Sequence, residues 1–184
     1  MNDMPKKRNS KTDSEPVKIP PVLTGVAGEY FVAAELSRRG YIASISLRNT
    51  RGIDILATNQ DASHSITIQC KTNLSGEKHW MLNEKSEQFQ PPGHFYVFVA
   101  LGSVGQRPSF HVVPSATVAK FARESHREWL HTPGRSGRQH VDTPMRKFYD
   151  LNDEYLDRWD LLELDRAAGQ SARRAASRQD EKPE

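Results

Sequence analysis

The chain has 184 residues, which is enough for one domain with a proper core and too few for two. Its one cysteine excludes an intrachain disulfide and a zinc site built from four thiolates. There is no signal peptide and no apolar run of about 18 residues. We therefore expect a cytoplasmic protein that does not bind membranes.

The two ends of the sequence differ in composition from its middle. Residues 1–20 and 165–184 are crowded with Lys, Arg, Ser, Asp and Pro and have almost no apolar periodicity, which is typical of disordered arms. Residues 21–164 are expected to form a single domain. The arms carry net charges of +2 and +1, so they account for the whole net charge of +3 and leave the middle neutral. The overall charge therefore gives no support for nucleic-acid binding.

The first predicted element is a helix that begins at Thr24 and ends at Gly40. Glu29 is three, four or seven positions from several apolar residues, so it falls on the apolar face. A buried carboxylate is costly unless it has a partner or a metal ion. The alternative is that Glu29 lies at the edge of this face and pairs with an arginine, whereas Glu35 belongs to the solvated face. The candidate arginines are Arg38, Arg39 and Arg48.

Three short segments rich in β-branched residues follow, and each predicts a strand. They cover residues 41–47, 53–58 and 65–71. The polar, turn-forming segment 59–65 joins the last two, which is the pattern of a β-hairpin.

Polar residues alternate with apolar ones in this predicted hairpin. Asp54 lies between two isoleucines, and Gln69 and Lys71 flank Cys70. Because side chains alternate between the faces of a strand, the three polar groups are expected to share one face while Cys70 packs in the core. A carboxylate, a carboxamide and an ammonium converging there outline a metal and phosphate site. Arg51, in the preceding turn, either orients a phosphate or neutralises Asp54, and both interpretations stay open.

The second half of the domain predicts further strands and helices. Residues 94–101 are almost continuously apolar, as in a central strand covered on both faces, and residues 110–113 form a shorter strand. A second helix begins at Ser115, and residues 153–164 predict a last helix. This order indicates an α/β fold with a mixed central sheet flanked by helices.

The segment from Gly134 to Lys147 contains four basic residues and one acidic residue, Asp142. It is the best candidate in the chain for contacts with phosphate groups. The alternative is a mobile surface loop without a binding role. The basic residues are Arg135, Arg138, Arg146 and Lys147.

The pattern D-x(14)-Q-x-K, formed by Asp54, Gln69 and Lys71 after a turn that contains glycine, resembles the core of the PD-(D/E)XK nuclease superfamily. The Q-x-K form is similar to the Mrr-type restriction endonucleases. The glutamate of the upstream helix resembles that of archaeal Holliday-junction resolvases. The resemblance covers residues 21 to 101, with Ile53 in place of the family's proline and Gln69 in place of the commoner acid. It implies a restriction-endonuclease-like core and DNA as the substrate.

The resemblance leads to a hypothesis for the chemistry. Asp54, the Gln69 carboxamide and the Cys70 backbone carbonyl hold Mg²⁺, with Glu29 completing the shell and Mn²⁺ as a substitute. Lys71 positions a water molecule and offsets the charge that develops on the scissile phosphate. Glu29, Asp54, Gln69 and Lys71 are thus the expected catalytic residues. Cleavage of both strands with one site per chain would favour a homodimer.

Two other functions remain open on the sequence. The neutral Gln69 and the neutral middle of the chain are compatible with a nuclease fold that only binds nucleic acid. The polar face of the hairpin is also compatible with a protein-interaction subunit in which that face is merely solvated.

Overall fold

The computed structural model describes residues 19–46 and 52–165. Most of both predicted arms, and Arg51, lie outside the described residues. Two helices, seven strands and two 3₁₀ turns are present in the part described. They are α1 (Pro21–Arg38), β1 (Ile42–Ile45), β2 (Ile55–Thr58), β3 (Ser65–Asn73), β4 (His79–Asn83), a turn at Glu84–Glu87, β5 (His94–Ala100), β6 (Ser109–Pro114), α2 (Ser115–His131), β7 (Met145–Tyr149) and a turn at Trp159–Leu162.

Five strands form the central sheet, in the order β1-β2-β3-β5-β6. The pair β3–β5 is parallel and the other three pairs are antiparallel. The predicted hairpin is confirmed, because Thr58 pairs with Ser65 and Ile55 pairs with Ile68. Its turn is closed by Asn59, whose side-chain oxygen accepts a hydrogen bond from the His64 N–H at 3.0 Å. The mixed α/β class with flanking helices is also confirmed.

Each face of the sheet has its own core. The α1 face contains Val32 and Leu36 of the helix together with alternate residues of the strands: Ile55, Ala57, Ile66, Ile68, Cys70, Val97, Val99 and Val112. The opposite face contains Val118 of α2 together with Trp80, Leu82, Tyr96, Phe98 and Phe148. Strand β3 contributes apolar residues only to the α1 face, whereas β5 contributes to both faces. This explains the continuous apolar run of β5.

Helix α1 begins three residues before the predicted Thr24, with Pro21 at its first position and Pro20 as its N-cap. Gly40, at φ +87°, follows its C-terminal end, as predicted. Gly28 lies against β3, since a Cβ at this position would be 1.9 Å from Oγ1 of Thr72. Glycine therefore allows the helix to approach the sheet at the residue just before Glu29.

None of the helices in the described ranges is long and apolar enough to span a membrane.

The prediction of a last helix over residues 153–164 was wrong. Asp153 and Asp157 have φ values of +57° and +52°, which an α-helix does not accommodate. The backbone bonds instead to β6, because the Val112 N–H donates to Tyr155 O and the Asp157 N–H donates to Phe110 O. Only the short turn Trp159–Leu162 is helical.

Two strands were not predicted at all. β4 and β7 pair with each other in a separate two-stranded sheet, with Trp80 opposite Phe148 and Leu82 opposite Arg146.

The expectation that Glu35 belongs to the solvated face was also wrong, because this residue is only 7% exposed. Its carboxylate lies within 4 Å of arginine nitrogens, at 2.9, 3.5 and 3.6 Å from Arg38, Arg39 and Arg107.

Candidate functional site

Asp54 immediately precedes β2, which pairs with β3. Its N–H donates to Ile68 O at 2.9 Å, and its Oδ2 accepts from the Cys70 N–H at 2.7 Å. The N–H groups of a strand point sideways in the plane of the sheet, so this carboxylate lies beside the edge of β3 and between the two faces. The N–H and C=O of one strand residue point the same way. The Cys70 carbonyl therefore faces the same gap as the Asp54 carboxylate.

The carboxylate of Asp54 is half-buried, and this burial raises its pKa above the ordinary value. The hydrogen bond from the Cys70 N–H and the charge of Lys71 act in the opposite direction. Burial therefore outweighs the stabilising contacts. A carboxylate in this state gains from a cation placed beside it.

Lys71 and Gln69 lie on the face of β3 opposite α1, as the alternating burial along the strand shows. In the parallel register with β5, Gln69 pairs with Tyr96 and Lys71 pairs with Phe98. Both side chains are half-buried. Asp54 thus lies at the strand edge, with the carboxamide and the ammonium on the neighbouring face.

Glu29 approaches from the other layer of the fold. It is half-buried on α1, next to the Gly28 contact with Thr72. Burial raises the pKa of the Cys70 thiol well above its ordinary value, and the negative charges of Asp54 and Glu29 raise it further, whereas Lys71 lowers it. The charges of Asp54, Glu29 and Lys71 therefore all act on the Cys70 thiol. Arg38 and Arg39, two of the predicted alternative partners of Glu29, bind Glu35, and Arg48 lies outside the described residues.

Two buried residues of β5 lie next to Gln69 and were not singled out from the sequence. Burial and the charge of Asp54 raise the pKa of Tyr96 to about 12. His94 is 2% exposed, and its Nδ1 lies 2.8 Å from Oγ1 of Thr67. Its Nε2 has no hydrogen-bond partner among the described residues. Burial lowers the pKa of His94 to about 4, so the ring is neutral at neutral pH. The apolar neighbours of both residues in the sequence gave no signal of this position.

The predicted phosphate contacts fall into two groups. Arg135 and Arg138 are exposed in the loop between α2 and β7, and Lys147 is exposed on β7. Arg146 is different, since it is 7% exposed and its guanidinium binds the Glu87 carboxylate and the Thr143 carbonyl. The placement of Arg146 in a flexible, phosphate-binding loop was therefore wrong. Its role is to connect β7 to the turn at Glu84–Glu87.

A cavity of about 370 Å³ lies between α2 and β7. Trp129, Met145, Lys147 and Tyr149 contribute to its lining, and none of the predicted catalytic residues does. Trp129 stacks between His126 and His140, with ring centroids at 5.3 and 4.1 Å. This cavity lacks a carboxylate and is separate from the site around Asp54.

The donors around Asp54 are compatible with a hard divalent cation. They are the carboxylates of Asp54 and Glu29, the Gln69 carboxamide and the Cys70 carbonyl, all of them oxygen donors of the kind Mg²⁺ prefers. In residues 19–46 and 52–165, no three His, Cys, Asp or Glu side chains come together as a metal-binding group. Any cation here would therefore depend on amide and backbone oxygens as well as on the two acids.

No protein-family model matches the sequence, and no curated protein is significantly similar to it. Solved structures that are similar to the protein include a bacterial homing endonuclease, at 12% identity and a TM-score of 0.48, with 84% of this chain and 98% of the other covered. Another is Hjc, a Holliday junction resolvase from the archaeal hyperthermophile Archaeoglobus fulgidus, at 14% identity and a TM-score of 0.39, with 68% and 84% covered.

Proposed function

We propose that this protein is a metal-dependent nuclease that hydrolyses phosphodiester bonds in DNA. Glu29, Asp54, Gln69 and Lys71 are its catalytic residues. The observation that carries the proposal is the half-buried Asp54 carboxylate, held at the edge of β3 by the Cys70 N–H and lying within the electrostatic range of Lys71. The ammonium of Lys71 is close enough to lower the pKa of this carboxylate, which supports a shared task for the two groups.

Mg²⁺ is the cation that fits the donors best, and Mn²⁺ is expected to substitute. Asp54, the Gln69 carboxamide oxygen and the Cys70 carbonyl would hold it, with Glu29 directly or through water. When bound, the cation would supply Lewis-acid activation of a water molecule and neutralise charge on the phosphate.

The side chains of the protein have separate tasks in this mechanism. The Cys70 N–H donates to one oxygen of the Asp54 carboxylate and so fixes its orientation. Hydrolysis adds water across one P–O ester bond: negative charge builds up on the phosphoryl oxygens as the water attacks, and the leaving oxygen takes up a proton from solvent as the ester bond breaks. The ammonium of Lys71 stabilises this charge and orients the attacking water.

A second candidate function is DNA binding without cleavage. It is favoured by the neutral Gln69, which leaves only two acids for a cation. In the nuclease and in the binding protein alike, the phosphate contacts would come from the exposed side chains of Arg135, Arg138 and Lys147. The two functions differ in what Lys71 does, because in the nuclease it acts on the transition state and in the binding protein it does not.

The test compares wild type with Lys71→Ala on plasmid DNA and on branched DNA, with Mg²⁺, with Mn²⁺ and with EDTA. Loss of one positioned electrostatic group costs on the order of 10² to 10³ in rate, so the variant should cut at least about a hundredfold more slowly and bind within a fewfold of wild type. Lys71→Arg should restore little, because a planar guanidinium does not place a compact charge at the same point.

The matched control is Lys120→Ala, which removes an exposed lysine of α2 far along the chain from the site. This control should cut at the wild-type rate. Wild-type cleavage by Lys71→Ala would refute the mechanism. Absence of cleavage by the wild type under all metal conditions, with DNA binding intact, would favour the second candidate.

A further inference from the structure

The cavity between α2 and β7 has the lining of a site for a flat aromatic molecule. Its volume of about 370 Å³ falls within the range of about 300–1,000 Å³ that is usual for small-molecule sites. Trp129 of α2 and Tyr149 of β7 line it and are 37% and 38% exposed. The other two tryptophans of the chain, Trp80 and Trp159, are only 2% and 6% exposed. The two rings at the cavity are therefore available to a ligand that enters from solvent.

The alternation along β7 decides which of its residues meet the cavity. Met145, Lys147 and Tyr149 are on the exposed side of this strand, whereas Arg146 and Phe148 between them are buried. The three exposed residues all line the cavity. The wall formed by β7 thus combines a thioether, an ammonium and a phenol, which suits a ligand that is both aromatic and anionic.

The wall formed by α2 is held in place by ring contacts. Trp129 and His126 both line the cavity, and the His140 ring stacks on Trp129 with its plane tilted by 18°. A Cβ at Gly134 would be 3.2 Å from Cε1 of His140, so the start of the following loop packs against this ring. The Trp129 indole is thus ordered before a ligand arrives, which lowers the entropy cost of binding.

Positive charge lies next to this cavity. Lys147 lines it directly, and Arg135 and Arg138 belong to the loop that contacts α2 through the His140 ring. This loop is closed by a hydrogen bond from the Gly134 N–H to Arg138 O at 2.9 Å. Both arginines are therefore carried on a compact loop beside the cavity, and all three basic side chains are exposed.

One acid, Asp142, belongs to the same segment, and it already has partners within the protein. Its Oδ1 lies 2.8 Å from Nε2 of His126 and 3.8 Å from Nη1 of Arg146. The exposed cations of the segment outnumber this single carboxylate by three to one. Phosphate groups are attracted to a surface of this kind.

We propose that the cavity binds one unpaired base of a DNA strand, while Lys147, Arg135 and Arg138 contact the phosphates beside that base. Aromatic rings next to basic side chains are the usual means by which proteins hold unpaired bases. A base inside an intact duplex is covered by its neighbours and does not reach a cavity. Such a site rests on the DNA binding proposed above, and it restricts the substrate to DNA that contains unpaired nucleotides.

The cavity and two of the proposed catalytic residues are on the same side of the central sheet. Gln69 and Lys71 lie on the face opposite α1. The core on that face also contains Val118 of α2 and Phe148 of β7, the two elements that form the cavity. A DNA strand can therefore meet both places without passing around the sheet.

The test measures DNA binding in EDTA, so that metal-dependent cleavage does not contribute. Three duplexes of one sequence are compared: fully paired, with one additional unpaired thymine, and with an abasic position in place of that thymine. Stacking of one base on an aromatic ring raises affinity roughly 5- to 150-fold. The unpaired thymine should therefore improve binding at least about fivefold over the other two duplexes.

Substitutions in the cavity should remove this gain selectively. Trp129→Ala and Tyr149→Ala should each lose most of it, while binding the fully paired duplex within about twofold of wild type, because phosphate contacts hold that duplex. The matched control is Tyr30→Ala, which removes a ring that is 65% exposed on α1, on the other side of the sheet. This control should keep the full gain.

A photo-cross-link locates the base without any substitution in the protein. 5-Iodouracil has the shape of thymine and, on irradiation, joins to an aromatic ring that it contacts. Placed at the unpaired position, it should cross-link to the peptides that contain Trp129 or Tyr149, as identified by mass spectrometry. Equal affinity for the three duplexes, a gain that survives both alanine substitutions, or a cross-link confined to other peptides would each overturn the base site alone. Failure of wild type to bind any of the three duplexes would refute both the DNA binding and the base site.

Discussion

Replacing Gly28 by alanine tests how closely α1 must approach β3. A Cβ at Gly28 would be 1.9 Å from Oγ1 of Thr72 and 3.0 Å from its Cβ and Cγ2. Rotation of the Thr72 side chain moves Oγ1 and Cγ2 and leaves its Cβ at 3.0 Å. The helix must therefore shift away from the strand. Gly25 is a matched control on the same helix, since a Cβ there meets nothing within 4 Å.

The two substitutions have opposite expected effects on stability. Alanine is favoured over glycine in a helix by about 1 kcal/mol, so Gly25→Ala should be stabilising by up to that amount. Gly28→Ala has the same gain, but forcing extra atoms into a packed contact costs about 1–3 kcal/mol. The Thr72 distances are tight enough to place it at the upper end of that range. We therefore expect a net destabilisation of about 1–2 kcal/mol for Gly28→Ala.

The assay is urea unfolding followed by circular dichroism at a fixed pH. Thr72→Gly in the Gly28→Ala background removes every atom of the clash, so a double-mutant cycle should show a coupling of at least about 1 kcal/mol. Equal stability of Gly28→Ala and Gly25→Ala would refute the close contact. Because Glu29 follows Gly28, the shifted helix should also reduce cleavage.

Three further predictions concern charge. Asp54→Asn should abolish Mg²⁺ uptake in calorimetry while preserving the fold, since the Asn oxygen still accepts a hydrogen bond from the Cys70 N–H. Normal Mg²⁺ uptake by this variant would contradict the site. In wild type, the raised pKa of Asp54 means that metal affinity should begin to fall on acidification at a higher pH than for an ordinary carboxylate. Neutralising Arg135 and Arg138 should reduce the slope of log K against log salt for DNA binding by about two. An unchanged slope in this variant would show that the loop does not contact DNA. Arg146→Met should instead lower stability and leave the slope unchanged. The His94 pKa of about 4 lies below its unfolded value, so the unfolded state takes up the proton first and the contribution of His94 to stability should fall below about pH 6.5. Between pH 7.5 and pH 5, wild type should therefore lose about 2 kcal/mol more stability than His94→Phe. Equal losses in the two proteins would refute the buried neutral ring.

The central hairpin could be predicted because its signals are local. The isoleucines around Asp54 and Cys70 alternate with polar residues, and the turn between the strands holds Asn, Asp and Ser. The sequence therefore predicts that Asp54, Gln69 and Lys71 belong to one hairpin, and the observed register pairs Ile55 with Ile68. The position of Asp54 at the edge of β3, and the burial that raises its pKa, come from neighbouring elements and could not be predicted.

The missed strands show the opposite case. In β4 and β7 the apolar alternation is disturbed, because Met81 and Met145 are exposed while Arg146 is buried beside Glu87. A buried arginine is stable only with its partner, and that partner lies 59 residues earlier in the chain. The wrongly predicted last helix had apolar residues at helical spacing, but their backbone groups bond to β6 instead.

The pairing of β4 with β7 has a consequence for the order of folding. It joins His79 to Tyr149, about 70 residues apart, whereas β1, β2 and β3 are joined by short connections. During synthesis β4 therefore emerges long before its partner, with Trp80 and an open strand edge exposed to other chains. A chain that stops before Met145 would keep that edge and leave Phe98 without its stacked neighbour Phe148, whose ring centroid lies 4.4 Å away. Such truncated chains should aggregate, whereas in the complete domain β7 pairs with this edge.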